Sequence, residues 1–144
     1  MKVLIQRCKK ASVSVNKNII AKISRGLVIF IGIDKGDNEL KTKLLAKRVL
    51  NLRVFNDFNQ KMNLSIKEVN GSALIISQFT LCAETTKGRR PSYSNAANPK
   101  ISENLYNSFI KEIKKEISVG TGIFGEDMKV ELINDGPATF ILEG

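Results

Sequence analysis

The segment 26–33 constrains the fold of this chain more than any other part of the sequence. It reads GLVIFIGI, a continuous apolar run that is rich in β-branched side chains. A run of this kind is typical of a strand buried on both faces, and such a strand lies inside a sheet that other elements cover. The segment 72–81 contains a second apolar run, ALII at 73–76, and also predicts a strand.

Helical periodicity begins near Asn38, which together with Asp37 is a candidate N-cap. The predicted apolar stripe of this first helix comprises Leu40, Leu44, Leu45, Val49 and Leu52. The predicted outward residues include Lys41, Lys43, Lys47 and Arg48. We therefore expect one face of this helix to be basic.

A second helix is predicted to begin at Pro99, with Asn98 as its N-cap, and to end near Gly120. The predicted inward residues are Ile101, Leu105, Phe109, Ile113 and Ile117. The segment 82–99 before this helix is polar and rich in Gly, Pro, Ser and Asn. Its composition favours a functional loop over a linker.

The remaining apolar segments are interpreted as strands. They are Lys2–Val15, read as a first hairpin or bent strand pair, 19–23, the short pair 54–55, and 128–133 and 139–142 on either side of a turn at 134–137. The order β-β-β-α-β-β-α-β-β favours a mixed α/β domain with a mainly antiparallel or mixed sheet over a doubly wound parallel one. With 144 residues, the chain fits a single domain, 1–144, whose core needs no disulfide or metal.

Composition limits the available chemistry. The chain has no histidine, which removes the usual general base, the imidazole ligand of zinc and the Ser-His or Cys-His nucleophile pair. Cys8 and Cys82 lie far apart and are read as ordinary thiols. The net charge of +9 favours polyanionic partners, nucleic acid first, although a lysine-rich solvated surface would give the same count.

Neither a membrane-spanning segment nor a signal peptide is expected. No apolar run approaches the roughly 18–20 residues of a membrane span, and the first residues, MKVLIQR, become polar too soon for a signal peptide. We therefore expect a cytoplasmic protein. The chain also lacks the glycine-rich motifs of nucleotide-binding folds, which disfavours nucleotide-cofactor enzymes.

Two motifs suggest a polar site. At 77–81 the sequence SQFTL places three polar side chains directly after a buried strand. At 134–139 the sequence NDGPAT contains a Gly-Pro dipeptide, where a missing Cβ permits close approach and a cis bond has a modest cost. The simpler readings are a strand that exits into solvent and an ordinary tight turn.

These two motifs, in this order, resemble the signatures of the D-aminoacyl-tRNA deacylase family, formerly called D-tyrosyl-tRNA deacylase. The similarity covers essentially the whole chain and includes 6–7, 11–13, 26–33, 61–65, 90–93 and 121–128. Gln60 departs from the family, in which glycine is frequent at this turn. The resemblance implies a compact β-barrel-like α/β fold with two main helices, a two-fold homodimer with sites at the subunit interface, and no cofactor or metal.

The resemblance also implies roles for individual residues. A cis Gly136-Pro137 dipeptide of one subunit would enter the pocket of the other and exclude L-amino acids, while D-residues and glycine pass. Arg7 would fix the orientation of this dipeptide. Backbone N–H groups of Phe79 and Thr80 would hold the ester carbonyl, and the terminal 2′-hydroxyl of the tRNA would help to activate water. Ser77 and Gln78 would shape the pocket.

Two other readings remain open. Thr80 could be the nucleophile of a small esterase or amidase, although its hydroxyl needs a base that histidine does not supply here. The chain could instead be a non-catalytic RNA- or DNA-binding module. In the deacylase reading, the basic helix and Lys87, Arg89 and Arg90 would contact tRNA phosphates.

Overall fold

The computed structural model describes all residues, 1–144. Its elements are β1 (Lys2–Val15), β2 (Asn18–Ile23), β3 (Gly26–Gly32), α1 (Glu39–Asn51), β4 (Phe55–Asn56), β5 (Met62–Leu64), β6 (Ser72–Ser77), a 3₁₀ turn (Phe79–Cys82), α2 (Pro99–Lys114), β7 (Val119–Thr121) and β8 (Met128–Glu143). The mixed α/β class predicted from the element order is confirmed.

Six strands form one mixed sheet in the order β2-β1-β3-β6-β7, with β8 paired along β1. β1 runs antiparallel to β2, β3 and β8, whereas β3, β6 and β7 are parallel. The two ends of this order approach each other, since a Cβ placed on Gly120 of β7 would lie 3.1 Å from the Cβ of Ala21 in β2. The sheet is therefore nearly closed into a barrel, as the resemblance implies.

Both faces of β3 are buried, which confirms the reading of the 26–33 run. Leu27 and Ile29 belong to the larger core cluster, which lies between the sheet and the two helices and includes Phe109 of α2. Val28 points the other way into a smaller cluster on the opposite face of the sheet, which includes Cys8. Successive side chains of β3 therefore pack into two different core clusters.

The predicted stripe of α1 is partly wrong. Asn38 caps the helix as expected, accepting a bond from the Lys41 N–H over 3.0 Å. However, Leu40 and Leu44 are 68% and 56% exposed. The buried face comprises Thr42, Leu45, Ala46, Val49 and Leu50. This face includes a threonine and an alanine, so a stripe predicted from the leucines lies partly on the exposed side of the helix.

The second helix begins as predicted but ends earlier. Asn98 caps it by accepting a bond from the Lys100 N–H over 2.9 Å, and Pro99 is its first residue. It ends at Lys114 rather than near Gly120, because the residues after it form β7 in parallel pairing with β6. Ile101 is exposed, contrary to prediction. The buried residues are Leu105, Tyr106, Phe109, Ile110 and Ile113.

Two strand predictions also require correction. Residues Lys2–Val15 are one strand rather than a hairpin, with register shifts against β8 around Cys8. The expected turn at 134–137 does not reverse the chain, because β8 runs through it from Met128 to Glu143 along the continuous partner β1. It forms a bulge, in which the pairing partner of Gln6 is Thr139 and that of Cys8 is Asn134.

β5 and β7 have three residues each and were not predicted. The turn between β4 and β5 contains Gln60 with φ +61°, so this residue adopts the left-handed conformation that glycine favours. Neither helix combines the length and apolar content that crossing a bilayer requires.

Candidate active site

A cavity of about 780 Å³ lies at the carboxyl end of β6. Because β3 and β6 are parallel, their carboxyl ends meet at one edge of the sheet, and this edge forms one wall of the cavity. Other walls come from residues 93–99, from α2 and from the segment between β7 and β8. Of the residues singled out in the sequence, Ser77, Gln78 and Phe79 line the cavity.

The 3₁₀ turn after β6 leaves two backbone donors free. The Gln78 N–H donates to the Ile31 carbonyl over 2.7 Å, and the first bond of the turn runs from the Leu81 N–H to the Gln78 carbonyl over 3.2 Å. The N–H groups of Phe79 and Thr80 lie between these two bonds, where the start of a helical turn offers no internal acceptor. Neither group donates to a carbonyl of a loop, turn or cap. They can therefore donate to a bound oxygen.

The hydroxyl of Thr80 is not arranged as an activated nucleophile. It accepts a hydrogen bond from the Nε2 of Gln78, which is an amide donor and cannot take a proton. Thr80 is exposed and is not among the residues that line the cavity.

Two aromatic residues that sequence analysis did not assign to the site border the cavity with Phe79. Tyr93 meets Phe79 edge to face, with ring centroids 5.0 Å apart. Tyr106 of α2 also lines the cavity and donates its hydroxyl to the Ile75 carbonyl over 2.8 Å. Burial raises the pKa of Tyr106, so the hydroxyl stays protonated. No local motif marks Tyr106, because its contact joins α2 to a distant strand.

Gly136 and Pro137 lie in the bulge of β8, and their peptide bond is cis. Both residues are exposed, and neither lines the cavity. The structure of one chain therefore brings Ser77, Gln78 and Phe79 together at the cavity but does not add the Gly-Pro dipeptide to them.

Arg7 anchors the residue before Gly136. Arg7 is only 5% exposed. Its Nε donates to the Asp135 carbonyl over 2.9 Å and lies 3.2 Å from the Asp135 carboxylate. Its Nη1 donates to the Val54 carbonyl over 2.6 Å and to Oδ1 of Asn56 at 3.2 Å. Arg7 thus connects the bulge of β8 to the β4 strand, and sequence analysis missed Asn56.

The remaining candidates have simpler surroundings. Lys87, Arg89 and Arg90 are exposed in the 82–99 segment, which is irregular as predicted. Burial raises the pKa of Cys8 to about 11 and that of Cys82 to about 12, so both are neutral thiols at pH 7. No group of three Cys, Asp or Glu side chains is placed to hold a metal ion.

The similarity of this chain to known proteins extends over nearly its whole length. A family model described as D-Tyr-tRNA(Tyr) deacylase matches residues 4–143. A D-aminoacyl-tRNA deacylase from Flavobacterium psychrophilum is 50% identical over 99% of this chain and 97% of its own length. Another, from Colwellia psychrerythraea, is 53% identical over 96% of this chain and 97% of its own length.

Solved structures show the same fold. A protein described as c-Myc DNA Unwinding Element Binding Protein superposes with a TM-score of 0.95 and 35% identity, covering 100% of this chain and 99% of the other. A probable eukaryotic D-amino acid tRNA deacylase gives a TM-score of 0.82 over 98% of this chain and 97% of its own, with 17% identity. At that identity the second likeness concerns the fold alone.

Proposed function

Since this chain belongs to the D-Tyr-tRNA(Tyr) deacylase family, we propose that it hydrolyses the ester bond between a D-amino acid and the 3′ end of tRNA. The products are free tRNA and the D-amino acid. The observation on this chain that carries the proposal is the pair of free N–H groups of Phe79 and Thr80 at the edge of the cavity. Relatives about half identical over nearly their whole length are named for this activity.

Two fixed N–H donors fit the chemistry of ester hydrolysis. Attack of water on the ester carbonyl places negative charge on its oxygen, and preorganised donors stabilise that charge by on the order of a few kcal/mol each. Phe79 and Thr80 supply the donors, while Ser77 and Gln78 shape the adjoining wall. An aminoacyl ester is an easy target, so positioning and these donors carry most of the acceleration.

The base in this proposal comes from the substrate. The chain has no histidine, and the Thr80 hydroxyl is paired with an amide rather than a base. The 2′-hydroxyl of the terminal ribose lies next to the ester and helps to activate the attacking water. The activity therefore depends on that hydroxyl and not on a side-chain nucleophile.

The chiral filter requires a second copy of the chain. We assign it to Gly136 and Pro137 of a partner subunit, whose carbonyls crowd the direction of an L side chain and accept bonds from the substrate amino group. Support comes from the exposure of both residues, from their absence from the cavity of their own chain, and from the anchoring of Asp135 by Arg7. D-residues and glycine have no side chain in the crowded direction, so mischarged glycyl-tRNA is also a substrate.

An apolar row on the sheet supports the proposed homodimer. Leu4 of β1 pairs with Ile141 of β8 on one side and with Phe30 of β3 on the other. These side chains point away from the core under the helices, because they alternate with buried Val3 and Ile31, and the half-buried Phe30 packs against the smaller cluster. Ile141 is 66% exposed. A two-fold partner that covers this row would remove it from water.

Non-catalytic nucleic-acid binding is the second candidate function. The structural relative described as a DNA unwinding element binding protein and the net charge of +9 favour it. Release of D-tyrosine from D-tyrosyl-tRNA by the purified protein separates the two candidates. Turnover supports the deacylase, whereas tight tRNA binding without turnover favours the binding module.

Aminoacyl-tRNA as the proposed substrate also accords with a cytoplasmic location for this protein.

A further inference from the structure

One of the two acidic groups at the start of α1 is neutralised within the fold. The Asp37 carboxylate is buried, accepts a bond from the Asp34 N–H over 2.7 Å and lies 2.7 Å from the N-terminal ammonium. The Glu39 carboxylate accepts a bond from the Ser108 hydroxyl over 2.7 Å. Asp37 therefore contributes little negative charge to the outer surface of the helix, whereas Glu39 is exposed and keeps its charge at the first turn.

Three cations of α1 point outward and take part in no salt bridge, whereas Lys41 is paired with Asp37. Lys43, Lys47 and Arg48 are exposed, and none of them takes part in a salt bridge. Arg48 instead donates to the backbone carbonyl of Glu143 over 2.7 Å, which holds its guanidinium near the surface. Glu112 of α2 is already bonded to Lys115 over 2.7 Å.

A groove runs beside two of these cations, Lys47 and Arg48. Its volume is about 490 Å³, and its walls include Lys41, Leu44, Lys47, Arg48 and Asn51. Lys43 and Lys47 are one helical turn apart, about 6 Å along the axis. The α1 surface thus presents a shallow, mostly apolar groove with exposed positive charges at its rim, and these charges favour a polyanion over a neutral ligand.

The start of α1 adjoins the cavity. Lys35 lines the cavity, and its N–H donates to the Asn95 carbonyl over 2.9 Å. α1 begins four residues later at Glu39 and extends for 13 residues, about 20 Å. The first turn of α1 therefore begins within four residues of the cavity wall.

We propose that the outward face of α1, formed by Lys43, Lys47 and Arg48, binds the phosphate backbone of the tRNA acceptor arm while the aminoacylated 3′ end occupies the cavity. The inference rests on the proposed function for the identity of the RNA. Phosphate contacts release condensed counterions, so this face raises tRNA affinity in a salt-dependent way and leaves the chemical step unchanged.

The test compares two variants with equal loss of charge. Lys43→Gln/Lys47→Gln changes α1, and Lys17→Gln/Lys22→Gln changes exposed lysines on the β1–β2 hairpin. For the α1 variant we expect the KM for D-tyrosyl-tRNA to rise roughly tenfold at low salt with kcat unchanged. The slope of the logarithm of tRNA affinity against the logarithm of salt concentration should become less negative by about 1 for each lysine that is replaced. Hydrolysis of D-tyrosyl-adenosine, which has no phosphate backbone, should not change.

Equal KM values for the two variants would overturn the proposal, as would an equal loss of activity on D-tyrosyl-adenosine. If the unmodified protein hydrolyses no D-tyrosyl-tRNA, the proposed function fails instead. Fluorescence titration of uncharged tRNA with the same two variants still decides the role of α1 in that case. Weaker binding by the α1 variant alone supports it, and identical binding contradicts it.

Discussion

The Nε of Arg7 lies 2.9 Å from the backbone carbonyl oxygen of Asp135, the residue immediately before Gly136. The same guanidinium donates to the carbonyl of Val54 and to Oδ1 of Asn56 in β4, so one buried side chain ties the bulge of β8 to β4. Asn134 completes the connection by donating from Nδ2 to the Arg7 carbonyl over 3.1 Å. The bulge is therefore fixed from both sides before any ligand or partner arrives.

Replacing Arg7 tests this anchoring. Arg7→Gln leaves the carbonyls of Val54 and Asp135 without their charged donor, and we expect the free energy of unfolding to fall by about 1–3 kcal/mol. Asp135→Asn keeps the backbone carbonyl and should lower the free energy of unfolding by less. Urea titrations of both variants and of the unmodified protein measure the difference. Equal stability of Arg7→Gln and the unmodified protein would contradict the anchoring role.

Gly136→Ala tests the proposed chiral filter at one of its two residues. The added Cβ would lie 3.3 Å from Oδ1 of Asn134, a tight contact that a small shift relieves, so the variant should fold. We expect a loss of activity on D-tyrosyl-tRNA of at least about tenfold, because the methyl group would enter the space proposed for the substrate. Thr139→Ala, on the same strand, is the control and should keep its activity.

Thr80→Val separates the two hydrolytic mechanisms. The variant removes the hydroxyl and keeps the backbone N–H, so substrate-assisted hydrolysis should continue within about tenfold of the original rate. A tRNA ending in 2′-deoxyadenosine, with the ester on its 3′-oxygen, should lose roughly 100-fold or more. Loss of activity in Thr80→Val, together with normal cleavage of the deoxy substrate by the unmodified protein, would instead assign the nucleophile to Thr80.

Alkaline conditions should destabilise the fold through the buried thiols. Burial raises the pKa of Cys82 from its ordinary value of 9.0 to about 12, and that of Cys8 to about 11. The neutral thiol is thus favoured in the folded state, and this contribution is complete below pH 9 and is lost between pH 9 and about 11–12. Unfolding titrations from pH 8 to 11 should show a steeper decline for the unmodified protein than for Cys82→Ala. Parallel declines would contradict the assignment.

Sequence reasoning succeeded where the signal is local. The buried run at 26–33 and the Asn98-Pro99 helix start depend on neighbouring residues, and both are found as predicted. The predictions were wrong or incomplete where pairing with a distant segment of the chain determines the local structure. The bulge at 134–137 exists because β1 continues beside β8, and the short strand β7 forms only against β6.

The same distinction holds for the site. Ser77, Gln78 and Phe79 form one segment, and the sequence placed them together at a strand end. Tyr106 and Asn56 act through contacts with Ile75 and Arg7, which lie far away in the chain. No spacing or periodicity could have revealed those contacts.

The most direct test compares the release of tyrosine from D-tyrosyl-tRNA and L-tyrosyl-tRNA by the purified protein in one assay. Exclusion of the L side chain by Gly136 and Pro137 predicts hydrolysis of the D-ester faster by roughly 100-fold or more. Equal hydrolysis of both esters would contradict the chiral filter, and hydrolysis of neither would contradict the deacylase function itself.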